Sequence, residues 1–180
     1  MTMAVTIEQT ESAPESYPST SPAVTLNDIA WQRVEPYIAW RFSPRTVTWL
    51  VEGPGNWKPP LAPAAIIGVE IWSVTENAMV SMTLSASPYG GYELPACGPY
   101  RFTATVGDIA GLGVTIPSVV WEAVKRLAAY LSAKPGTPGA TSESISAGSI
   151  AIATRRSESW MAQALQNSGA ADLLRAYRRV

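Results

Sequence analysis

Arg45-Thr46-Val47-Thr48-Trp49-Leu50-Val51-Glu52 alternates along its whole length. Val47, Trp49 and Val51 fall on one side and Thr46, Thr48 and Leu50 on the other, the two-residue period of a strand. Gly53-Pro54-Gly55-Asn56 ends it, and the proline-rich residues 58–63 read as an extended linker. Beyond the linker, residues 65–74 are apolar and β-branched, Glu76-Asn77 turns the chain, and residues 79–84 return as the second arm of a hairpin. Residues 88–91 form another turn. Residues 92–94 and 100–106 (YRFTATV) predict a second hairpin around Pro95-Ala96-Cys97-Gly98-Pro99.

Helical patterns bracket this β region. Thr25 is placed to cap a helix, with Asp28 three residues on, and Leu26, Ile29, Val34, Ile38 and Phe42 supply apolar spacing. Pro36 predicts a kink or break after Val34, followed by an irregular or second helical turn carrying Tyr37 and Trp40. Residues 117–132 carry the strongest helical pattern. Pro117 sits in the first turn, Lys134-Pro135-Gly136 stops the helix, and Val120, Val124, Leu127 and Leu131 form its core stripe. Glu122, Lys125 and Arg126 face away. Residues 134–148 read as a Gly/Ser/Thr/Pro-rich loop, residues 149–153 as a short apolar run, and residues 155–180 as two short amphipathic helices hinged at Ser168-Gly169. Helices at both ends and hairpins between them, without βαβ alternation, define an α+β chain: helices from the N- and C-terminal parts packed with a central antiparallel β-hairpin region, plus an extended N-terminal arm.

Composition narrows the chemistry. The 180 residues have a net charge of −1 and only 15% charged side chains, too few cations for a strong phosphate-binding surface. Histidine is absent, which removes the commonest acid/base group near neutral pH and the commonest metal ligand. The single cysteine, Cys97, makes neither an internal disulfide nor a cysteine zinc site. Residues 107–113 (GDIAGLG) match neither a phosphate loop nor a dinucleotide fingerprint and read as a strand-to-helix loop. Glu70 and Glu76 flank a hairpin and read as a solvated sheet face. Ser142, Ser144 and Ser146 have no histidine to activate them. No catalytic residue, cofactor or metal is expected. No secretory signal and no membrane span is visible, so the chain is expected to be soluble and cytoplasmic in origin.

Charge is unevenly placed. Glu8, Glu11, Glu15 and Asp28 are the only charges before Arg33, whereas Arg155, Arg156, Arg175, Arg178 and Arg179 face only Glu158 and Asp172 in the last stretch. This asymmetry suggests terminal interaction arms. Residues 1–23 are rich in Ser, Thr, Pro and Glu and read as a disordered or extended arm. The seven tryptophans admit two readings. Core and interface anchors are favoured; an aromatic platform for a carbohydrate or other ligand, in a small β-rich binding module, is the alternative. Trp57, in a Gly/Pro-rich loop, is expected to be the most exposed.

Three pieces together resemble the head–tail connector (adaptor) proteins of tailed phages and gene transfer agents: residues 100–107 (YRFTATVG), Ile116-Pro117 leading into the helix of Val120 and Leu131, and residues 160–179, most specifically Ser168-Gly169-Ala170-Ala171-Asp172-Leu173-Leu174-Arg175. The resemblance implies a structural part, not an enzyme. It implies a ring, usually of twelve copies, beneath the portal protein, extending the DNA channel, letting DNA pass and receiving a stopper or other tail-neck component. It implies assembly in the cytoplasm, residence in the neck of the finished particle, and no membrane partner. It also implies that the C-terminal segment docks on the portal, with Trp160, Leu165, Leu173, Leu174, Arg175, Tyr177, Arg178 and Arg179 as the docking set. The expected division is a flexible acidic arm over 1–23, an α+β connector domain over 24–153 and a helical docking arm over 154–180.

Overall fold

The computed structural model describes residues 3–20, 23–107, 115–133, 142–147, 150–155 and 160–178. The fold is α+β, and the chain forms two compact units. Residues 1–18 and 39–115 make one, and residues 19–38 and 116–180 the other. Each unit joins segments distant in sequence.

The first unit is a five-stranded antiparallel sheet in the order β1 (Val5–Glu11), β2 (Arg45–Glu52), β7 (Pro99–Val106), β4 (Ala64–Ser73), β5 (Ala78–Ser81). β2 and β4 both pair with β7, and the predicted β4–β5 hairpin is present. Val47, Trp49 and Val51 of β2 and Tyr100, Phe102, Ala104 and Val106 of β7 are buried on one face, as alternation requires. A two-stranded ladder of β3 (Gly55–Trp57) and β6 (Tyr92–Leu94) adds Trp57 and Leu94 to this core. The second predicted hairpin is therefore corrected: β6 pairs with β3, and β7 lies between β2 and β4. Tyr100 explains the loop between β6 and β7, since its hydroxyl donates to the Ala96 carbonyl at 3.1 Å and accepts from the Ala96 N–H at 2.9 Å.

Trp57 is also corrected. It is 3% exposed and stacks on Phe102 with ring centroids 4.1 Å apart, because the Gly/Pro-rich loop folds back over the sheet. Trp72 is the most exposed of the seven tryptophans, at 38%.

Part of the expected flexible arm is strand β1. Its register with β2 slips at Ile7: Thr6 faces Val51, Glu8 faces Leu50, and Ile7 is the extra residue. The bulge resets the alternation, so Thr6, Gln9 and Glu11 turn to the core face. There they meet groups that apolar side chains would leave unsatisfied. The Trp57 indole N–H donates to Thr6 at 2.9 Å, the Trp49 indole N–H donates to Gln9 at 2.7 Å, and the Arg41 guanidinium donates twice to Glu11 at 2.8 and 2.9 Å.

The second unit is helical, with one small hairpin. α1 (Asn27–Ile38) begins two residues beyond Thr25, after Leu26 in the left-handed region, and it continues through Pro36. The expected break after Val34 is corrected: the helix ends at Ile38, and Ala39 adopts a positive φ. Proline's missing donor near the last turn costs one hydrogen bond, while Val34 and Ile38 on either side stay buried. α2 (Ser118–Ser132) starts just after Pro117 and buries the predicted Val120, Val124, Leu127 and Leu131, together with Ala123 and Ala128. The helices meet where Trp31 sets its ring edge-on against Trp121, centroids 5.4 Å apart. Part of the predicted 134–148 loop is a strand: β8 (Ser142–Ala147) pairs with β9 (Ile150–Arg155), which also takes in the apolar run.

Candidate partner-docking surface

The C-terminal segment is built of single turns: α3 (Ala164–Asn167), α4 (Ala170–Leu173) and a 3-10 turn (Arg175–Tyr177). Gly169, at φ 73°, forms the hinge, a left-handed position that favours glycine. Turns this short do not hold themselves together in water. They are held by their own unit. Ala164, Ala170 and Leu174 are fully buried, Trp160 packs on Tyr130 of α2 with centroids 5.8 Å apart, and the Asn167 amide donates to the Tyr130 hydroxyl at 3.2 Å. From α1, Arg33 donates to the Met161 carbonyl at 2.7 Å.

This packing sorts the predicted docking residues. Leu174 belongs to the core and presents nothing outward. Trp160, Leu165 and Leu173 are half-buried, while Arg175, Tyr177 and Arg178 are exposed. Arg179 lies outside the described residues, as do the loop residues 108–113. The structure adds Tyr37, which the sequence reading left out: the Arg178 guanidinium sits over its ring at 5.4 Å. Only the tertiary return of the chain to α1 reveals that pair.

The unit bearing this tip is basic. Over residues 19–38 and 116–180 nine Lys/Arg stand against six Asp/Glu, a net of +3. Over residues 1–18 and 39–115 four stand against eight, a net of −4. The exposed Arg175, Tyr177 and Arg178 therefore form a cationic, aromatic surface suited to acidic and apolar groups on a protein partner.

Elsewhere the chemistry is structural. Glu70 is held by Arg101 at 2.5 Å across the sheet, and this hydrogen bond keeps its carboxyl below the usual range. The Arg41 hydrogen bond does the same for Glu11. Among the described residues, no group of three or more Cys, Asp or Glu is placed to hold a metal ion. A cleft of about 430 Å³ in the first unit is lined by Ser12, Ala13, Glu15, Ser16, Pro44, Arg45, Thr46 and Thr105, with no tryptophan in its wall. Trp31, Trp49 and Trp57 lie in cores.

No protein-family model matches the chain, and neither does any curated protein. Its fold is that of two solved chains. One is in the neck of a native GTA particle computed with C12 symmetry. It is 16% identical with a TM-score of 0.50, over 86% of this chain and 80% of that one. The other is in the neck of an empty GTA particle computed with C6 symmetry, 16% identical with a TM-score of 0.51, over 86% and 76%. The chain is thus similar in fold, across most of its length, to proteins of particle necks.

Proposed function

We propose that this chain is a structural component of a phage-like particle's neck: a head–tail adaptor that assembles with copies of itself into a ring. One observation carries the reading, the fold shared over 86% of the chain with two neck chains solved under C12 and C6 symmetry. The ring, twelve-fold by this reading, lies beneath the portal protein, extends the DNA channel and presents a surface to the next neck component. Assembly takes place in the cytoplasm, and the particle neck is the final location. No catalytic step is assigned.

Portal docking falls to the C-terminal segment in this proposal. Leu174 and the half-buried Trp160, Leu165 and Leu173 hold the segment in shape; Arg175, Tyr177, Arg178 and Arg179, with Tyr37, make the contact. A low net charge suits a channel wall, because many fixed cations would hold passing DNA by its phosphates.

The test is the mass of the purified chain in solution, alone and mixed with its portal protein. A portal-dependent ring supports the proposal. A chain ending at Leu174 keeps the buried side chains and loses the tip, so it should stay folded and stop binding portal. A strict monomer in every mixture would sink the reading.

A further inference from the structure

We infer that neighbouring copies in the ring meet edge to edge through the sheet, the β4–β5 hairpin of one copy packing on the β1 corner of the next. The inference rests on the ring reading above and deepens it by naming the contact.

The sheet order and register supply the geometry. Five strands, each antiparallel to its neighbour, place β1 and β5 at the two edges of the sheet, running in the same direction. Val5 faces Glu52, and Glu52 faces Pro99. Ile71 faces Tyr100, so Trp72 stands one step further on, level with Pro99. Met79 of β5 faces Trp72, so Val5 and Met79 occupy the same level at opposite edges, with Trp72 one strand in from the second. Trp72 and Val5 also share a face: Tyr100 points into the core, as does Val51, so both project from the other side.

Both ends of the sheet carry uncovered apolar side chains. Val5 is 59% and Ile7 61% exposed on β1; at the other end of the sheet Trp72, on β4 beside the edge strand, is 38% exposed and Val74, in the turn from β4 to β5, is 86% exposed. Two different patches at one level, on edges of the same direction, are what a head-to-tail ring requires; a two-fold dimer needs only one self-complementary patch. Rotation about an axis along the strands keeps level and direction. It brings Met79 beside Val5 of the second copy, with the Trp72 side chain on the same face one strand behind it, within reach of Val5 and Ile7.

The experiment uses the full chain with Cys97→Ser, since Cys97 is exposed. Val5→Cys and Met79→Cys are made singly and together, and assembled with portal under oxidising conditions. The double variant should give a ladder of covalent multimers and the single variants none, because a disulfide needs Cα atoms within about 7 Å. Trp72→Glu, which leaves the core untouched, should raise the concentration for half-assembly more than about tenfold. Rings that assemble normally without a ladder and with Trp72→Glu unchanged would overturn the contact while leaving the ring intact. Dimers from Val5→Cys alone would overturn it in favour of a two-fold contact. Failure of the unmodified chain to form any ring removes both readings.

Discussion

Glu11 shows how much one side chain holds. Arg41 is 5% exposed and receives two hydrogen bonds' worth of acceptor from this carboxylate, with Arg45 a further 3.7 Å away. Glu11→Gln leaves a buried guanidinium facing a neutral amide, and should cost about 2 kcal/mol in urea unfolding. The pH dependence has a definite sign. The Arg41 hydrogen bond lowers the Glu11 pKa in the folded chain, so its stabilisation is present above the unfolded carboxylate's pKa. It is lost as pH falls through the depressed one. The unfolding midpoint should therefore drop in acid more steeply for the native chain than for Glu11→Gln. Leu174 and Arg175, adjacent in sequence, part in the same way. Leu174→Ala, in a fully buried site, should lose about 2–5 kcal/mol of stability. Arg175→Glu, at an exposed site, should change stability by no more than about 0.5 kcal/mol and weaken portal binding.

Strand β1 is the clearest case where local reading fails. Val47, Trp49 and Val51 announce β2 by themselves, and Val120, Val124, Leu127 and Leu131 announce α2, because each pattern is set by its own buried face. Thr6, Gln9 and Glu11 are polar and unevenly spaced; they make sense only opposite Trp57, Trp49 and Arg41, which lie far along the chain. The same holds for Tyr37, whose partner Arg178 is contributed by the other end of the sequence. Pairing of β6 with β3 instead of β7 was hidden for a related reason: adjacency in sequence favours a hairpin, while the aromatic stack of Trp57 on Phe102 favours the longer connection. Removing residues 1–11 should orphan the two indole donors at about 1–3 kcal/mol each, lower the melting temperature and shift tryptophan emission. A synthetic peptide of residues 1–12 added back should restore part of that shift.

The two units differ in sign, −4 against +3, and in the proposed assembly the two contacts should respond differently to salt. Portal binding through Arg175 and Arg178 should weaken as ionic strength rises from 50 to about 500 mM, whereas the apolar contact through Trp72 and Val5 should hold. Sedimentation across that range separates the two: rings shed from portal yet intact support both assignments, and rings that dissolve first argue against the hairpin contact. Connectivity adds a mechanical consequence. The chain passes between its units at 18/19, 38/39 and 115/116. A conventional pair of domains hangs on one tether, which bears the full load when the two are pulled apart. Here three peptide segments run in parallel, so each takes only a share of the tension, and cutting any one leaves the others to keep the halves joined.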